Sequence, residues 1–125
     1  MKYIDGFVLP VPKKNLKAYR KMAIAAGKVW RKYGALEYFE CVGDDLNPKM
    51  EGGMKIALFP QMAKVKPGET VVFSFIVYKS RAHRDAVNTR VMKEMKKSYD
   101  KYKDIKMPFD MKRMAYGGFK AIVED

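Results

Sequence analysis

The chain has 125 residues, 48% of them hydrophobic and 32% charged, which suits one globular domain over residues 1–125 and excludes a disordered or fibrous chain. Its 26 Lys plus Arg against 14 Asp plus Glu give a formal net charge of +12, and its one cysteine, Cys41, excludes an internal disulfide. No apolar run approaches the ~20 residues that cross a bilayer, and strand-like alternation from Tyr3 leaves no room for a leader, so the sequence predicts a cytoplasmic protein without a membrane span.

Residues 3–11 alternate as a strand, with Tyr3, Asp5, Phe7, Leu9 and Val11 on one face. Asn15 is placed to cap a first helix, in which Leu16, Tyr19, Ala23, Ala26, Trp30 and Tyr33 form one apolar stripe. Gly34 stands where that helix must stop. Residues 35–43 predict a second strand, ended by Gly43, Asp44, Asp45, Asn47 and Pro48. The stretch 46–69 is too apolar between Met54 and Val65 for a free loop, and we read an extra strand or extended arm there. Residues 70–79 are rich in β-branched and aromatic types and predict a third strand. Ser80 caps a second helix over 81–103, with Ala82, Ala86, Met92, Met95, Tyr99 and Tyr102 as a looser stripe, and a last strand runs from Arg113 to Val123.

The order strand, helix, strand, strand, helix, strand is the split βαβ, ferredoxin-like pattern of an α+β fold, with one four-stranded antiparallel sheet and the helices on one face. Two helices cover only one side of such a sheet. The third strand is apolar on both sides, with Val71, Phe73, Phe75 and Val77 opposite Val72, Ile76 and Tyr78. A wet second face would expose a larger apolar patch than monomers carry. The economical cover is a second copy, giving a homodimer in which two sheets form a dimeric α+β barrel.

Several segments also resemble the YbaA-like family of small uncharacterised bacterial proteins. They are Tyr3-Ile4-Asp5-Gly6-Phe7, Glu40-Cys41-Val42-Gly43-Asp44-Asp45, Glu69-Thr70-Val71-Val72-Phe73-Ser74, Ser80-Arg81-Ala82-His83-Arg84-Asp85, Met107-Pro108-Phe109-Asp110 and Arg113-Met114-Ala115-Tyr116-Gly117-Gly118-Phe119. The resemblance covers nearly the whole chain and implies the same ferredoxin-like subunit and dimeric barrel. It brings no established activity. Relatives by fold include monooxygenases and isomerases that hold small ligands between sheet and helices, but a fold does not transfer its chemistry.

Among the residues that carry chemistry, Ser80, Arg81, His83 and Arg84 gather at the start of the second helix, where free N–H groups and the helix dipole favour an anion. The bland alternative is that Ser80 caps, Arg84 pairs with Asp85 or another acid, and His83 is a surface residue. Glu40 sits mid-strand between Phe39 and Cys41, and an inward carboxylate there is a candidate general base; Asp5 is a second inward carboxylate. Each could instead be paired with Arg113 or a lysine, or accept backbone hydrogen bonds. Cys41 lacks a base nearby in sequence and reads as a strand filler. One histidine and no cluster at ligand spacing imply no metal site, and no cofactor motif is present. Asp110 and Arg113 read as fixing the start of the last strand, and Gly117-Gly118 as a bulge or a dimer contact.

Two functions from different classes follow. The first is a homodimer binding a small molecule between sheet and helices, with monooxygenase- or isomerase-like activity as its catalytic form, Glu40 and His83 as catalytic candidates, and Ser80, Arg84 and Arg113 as ligand-binding candidates. The second is a basic nucleic-acid-binding dimer using lysine-rich helix faces. Only six of the 26 basic residues are arginines, which weakens the second, because lysine is a solvated point charge rather than a planar fork.

Overall fold

Two ten-residue strands set the frame. β1 (Tyr3–Pro12) and β3 (Glu69–Tyr78) pair antiparallel along their whole length, from Tyr3 opposite Tyr78 to Pro12 opposite Glu69. Around them stand α1 (Leu16–Lys32), β2 (Glu37–Val42), the short α2 (Phe59–Met62), α3 (Arg81–Tyr102) and β4 (Ala115–Lys120). The computed structural model describes the backbone throughout and the side chains of residues 1–99 and 103–125; the Tyr102 position of the second helical stripe thus lies outside the described residues. β2 pairs with β3 and β4 with β1, both antiparallel, so the sheet order is β2-β3-β1-β4. This is the ferredoxin-like order expected for the split βαβ pattern.

The core lies between the helices and one face of the sheet. At one end Leu9, Val11 and Val72 pack against Tyr19 and Ala23 of α1. At the other, Ile76 and Tyr78 pack against Ala35 and against Val87 and Val91 of α3. Phe7 borders both clusters. α1 stops because Gly34 takes a φ of +113°, which residues with a Cβ rarely adopt. Ser80 is extended and its Oγ accepts from the His83 amide at 3.1 Å, so it caps α3.

Three local expectations are corrected. Asn15 precedes α1, yet its side chain donates to the Pro108 carbonyl at 3.1 Å instead of capping. A 3-10 turn over Lys13–Asn15 runs straight into α1, so Asn15 lacks the extended backbone that a side-chain cap uses. Residues 46–69 hold no extra strand; they form a 3-10 turn (Glu51–Gly53) and α2, and only Glu69 joins the sheet. Pro48, Pro60 and Pro67 cannot donate to a ladder, and Gly52 and Gly53 turn the chain at positive φ. The apolar character is instead used by Phe59, whose ring meets Phe73 edge-on at 6.4 Å. Finally, β4 is shorter than 113–123. Met111–Arg113 form a 3-10 turn capped by Asp110, and past Ala121, which donates to the Lys2 carbonyl, β1 offers no further partner.

The sheet face away from α1 and α3 is apolar, and α2 reaches it only through Phe59. Phe39, Phe73 and Phe119 lie on it, each 43–62% exposed. Phe39 stacks on Phe75 at 5.0 Å, and Phe73 lies 5.8 Å from Phe75. Cys41, exposed, pairs in register with Phe73 on the same face. Gly117 and Gly118 sit in unbroken register with Gly6 and Asp5, and the Tyr3 ring occupies the space that a side chain at Gly118 would need.

Candidate functional site

β2 is an edge strand, and α1 crosses beside it without closing onto it. Between them lies a cleft of about 870 Å³. In β2, Tyr38 and Glu40 pair with Ile76 and Ser74, which turn toward the helices. Leu16, Tyr19, Ala23 and Gly27 line the helix wall, Val72 lies at the base, and Ile24 and Val42 are further apolar lining.

Glu40 is the polar centre of the cleft. The Tyr19 hydroxyl donates to its Oε1 at 2.7 Å and the Tyr38 hydroxyl to its Oε2 at 2.7 Å. Burial, and then the facing carboxylate, push both phenols above their usual range, so both stay protonated donors. Among the described residues Glu40 makes no ion pair. It is thus a partly buried carboxylate, oriented through both oxygens and not neutralised by a cation, with lone pairs to spare. Such a group can accept from a ligand N–H or O–H, or take a proton. Basic side chains also line the cleft: Arg20, Lys28 and Arg31 from α1. Arg31 donates to the carbonyls of Ala35 and Leu36.

The other sequence candidates stand elsewhere. Arg84 reaches across the sheet to the buried Asp5 at 2.7 Å, to Asp85 at 2.8 Å and to the Tyr116 hydroxyl at 2.9 Å, with its guanidinium over the Tyr3 ring. His83 accepts the Lys79 amide on Nδ1 at 2.9 Å, completing the turn that Ser80 begins. Arg113 holds Glu69 through two nitrogens, at 2.7 and 2.9 Å, and also donates to the Lys64 carbonyl. Glu69 starts β3 and Ser80 follows its end, so Arg113 is separated from Ser80 by roughly 30 Å of strand and from the Arg84 guanidinium, at Asp5, by about 20 Å. Ser80, His83 and Arg84 therefore sit together, whereas Arg113 and Glu40 do not join them. Asp5 and Glu40 lie on β1 and β2 with β3 between, ~10 Å apart by strand spacing alone, and do not share a proton.

In the sequence, Tyr19 is a residue of the α1 stripe and Tyr38 a residue of the second strand, and neither position by itself marks a site. The signal that singles them out is the hydroxyl: a tyrosine at a buried position must bring a partner for it, and the inward carboxylate of Glu40 is that partner.

Sheet order, helix placement and connectivity define an α+β protein of the ferredoxin-like fold. Among solved structures, a dimeric ferredoxin-like protein from an uncultured marine organism matches with a TM-score of 0.50 at 10% sequence identity, covering 100% of both chains. The chain belongs to the family described as "Protein of unknown function (DUF1428)", which matches residues 2–111. It is 40% identical over 126 aligned positions to "Uncharacterized protein YbaA" of Escherichia coli strain K12, with 100% of both chains covered. The protein of the same description from Shigella flexneri shows the same identity and coverage.

Proposed function

We propose that the protein is a cytoplasmic homodimer that binds a small molecule in the cleft between α1 and β2, with Glu40 as the polar anchor. The observation that carries this reading is the pair of tyrosine hydroxyls fixing an un-neutralised carboxylate at the centre of an otherwise largely apolar cleft. A partly desolvated charge without a counter-ion costs stability. A ligand donor seated on Glu40 would offset that cost, and the apolar lining supplies the burial that a small-molecule site needs. In the same position Glu40 is equipped for isomerase-like chemistry: it accepts a proton from one ligand atom and returns it to another, with no change in oxidation level.

The dimer reading rests on the open sheet face, where Phe39, Phe73 and Phe119 stay about half exposed although Phe59 of α2 meets the edge of Phe73. The marine structural neighbour is described as dimeric, which supports pairing of two such sheets. No helix among the described residues is long and apolar enough to cross a membrane.

A fragment screen followed by amide chemical shifts tests the cleft. Hits should perturb residues 16–28 and 37–42 together, and Glu40→Gln should weaken them. Hits that map to other surfaces and ignore Glu40→Gln would refute the site.

The exposed Lys17, Lys21, Lys28 and Lys32 of α1 favour the second reading, a nucleic-acid-binding dimer. Association through lysines must weaken steeply with salt. Binding to single-stranded RNA that persists unchanged from 50 to 200 mM salt would exclude that mode.

A further inference from the structure

We infer that the ligand of the cleft is a small amphipathic acid: a hydrogen-bond donor at one end, a ring or short alkyl body, and an anionic head at the other. This rests on the cleft reading above and names the chemistry that the same walls select.

Glu40 sets the polarity. A ligand carboxylate or phosphate would be repelled next to a carboxylate that no cation neutralises. What Glu40 can receive is an O–H or N–H, since both of its oxygens keep acceptor capacity after the tyrosine bonds. The body of the ligand then lies against Leu16, Ala23, Ile24, Gly27 and Val72.

The opposite preference holds on the exposed side of α1. Arg20, Lys28 and Arg31 recur at eight- and three-residue steps, so they share one helix face together with Ile24, and all three line the cleft. α1 carries no acidic residue. Arg20 and Lys28 make no ion pair among the described residues, and Arg31 uses one nitrogen on carbonyls and keeps further donors free. The one other acid of the lining, Glu37, pairs in register with Val77 and so belongs to the open face of the sheet. An anion is therefore attracted to the exposed side of the cleft and repelled from Glu40, which fixes the direction in which a two-ended ligand enters.

Three probes separate the parts: 3-(4-hydroxyphenyl)propanoate, 3-phenylpropanoate, which lacks the donor, and the methyl ester of the first, which lacks the anion. Amide-shift titration of the full-length protein should show the hydroxy acid binding at residues 16–28 and 37–42, with each of the other two weaker by about tenfold, the loss of one charge-assisted hydrogen bond. Arg20→Ala with Lys28→Ala should cut the advantage of the acid over its ester several-fold, with Arg31 keeping the remainder, and should weaken the acid more than the ester. Glu40→Gln should reduce the advantage of the hydroxyl several-fold, since the amide oxygen still accepts but without the charge. An ester that binds as tightly as the acid, or an acid indifferent to Arg20→Ala with Lys28→Ala, overturns the amphipathic-acid inference while leaving the cleft as a binding site. If none of the three probes shifts the cleft amides at millimolar concentration, the inference and the cleft reading fall together.

Discussion

Gly27 of α1 lies under the ring of Tyr38: a methyl group built on Gly27 would stand 2.9 Å from Tyr38 Cδ1 and 3.1 Å from Cε1. The glycine leaves room for the Tyr38 ring, whose hydroxyl sits on Glu40 two residues along the same strand. Gly27→Ala sets two effects against each other. Helix propensity gains about 1 kcal/mol, while overpacking against an aromatic ring costs ~1–3 kcal/mol. We expect a net loss of about 1 kcal/mol in urea unfolding, together with a shifted Tyr38 ring resonance. A more stable variant with an unmoved ring would mean that Tyr38 yields freely and does not position Glu40.

The Asp5–Arg84 pair is the buried charge of the sheet, with the Asp5 and Arg84 side chains 2% and 13% exposed. Removing one partner strands the other. Arg84→Met should cost about 3–5 kcal/mol, and adding Asp5→Leu should restore most of it, because an apolar pair replaces a buried ion pair at little cost. Two losses that simply add would show that the carboxylate and guanidinium do not compensate each other.

Glu69 gives the protein a pH response. The two hydrogen bonds from Arg113, with the Lys66 amide, hold its carboxyl down at about 2, well below the usual carboxylate range. A carboxylate lowered on folding stabilises the native state at pH above its unfolded value of about 4.3. That contribution is lost as pH falls from there through about 2. Unfolding between pH 5 and 2 should therefore be shallower in Glu69→Gln than in the wild type, with the two curves parallel above pH 6. Curves that stay parallel down to pH 2 would contradict the Arg113 clamp.

Phe73 tests the open face. A glutamate there should leave the helix-side core untouched, since Phe73 points away from it. Sedimentation at micromolar concentration should show the wild type as a dimer and Phe73→Glu as a folded monomer. A wild-type monomer would sink the two-sheet reading directly.

Elements with strong periodicity were legible in the sequence. The alternation of β1 and the stripe of α1 each report one buried face, the β-branched run of β3 reports a strand with buried residues on both, and burial is what fixes them. The stretch 46–69 is apolar without being strand, because its prolines and glycines withhold ladder hydrogen bonds. Asn15 shows the limit of a local rule: its side chain is used by Pro108, 93 residues away. The site was half legible. Glu40 stood out as a charge inside a strand, but its partners come from a helix 21 residues earlier and from two residues along its own strand. Sequence does not show which end of β3 each side chain meets, so it does not separate Arg113 from Ser80 and Arg84.

The cleft has one wall that is tied down on a single side. β2 is six residues long and bonds only to β3, its other edge being free. Its amides that point outward from that edge exchange with solvent without any unfolding, and those bonded to β3 need only the loss of one ladder. A molecule bridging Glu40 to α1 would fasten this strand to the helix. Slowed hydrogen exchange confined to residues 37–42 thus offers a label-free way to find a ligand in a crude extract, with the long central strands as the internal standard.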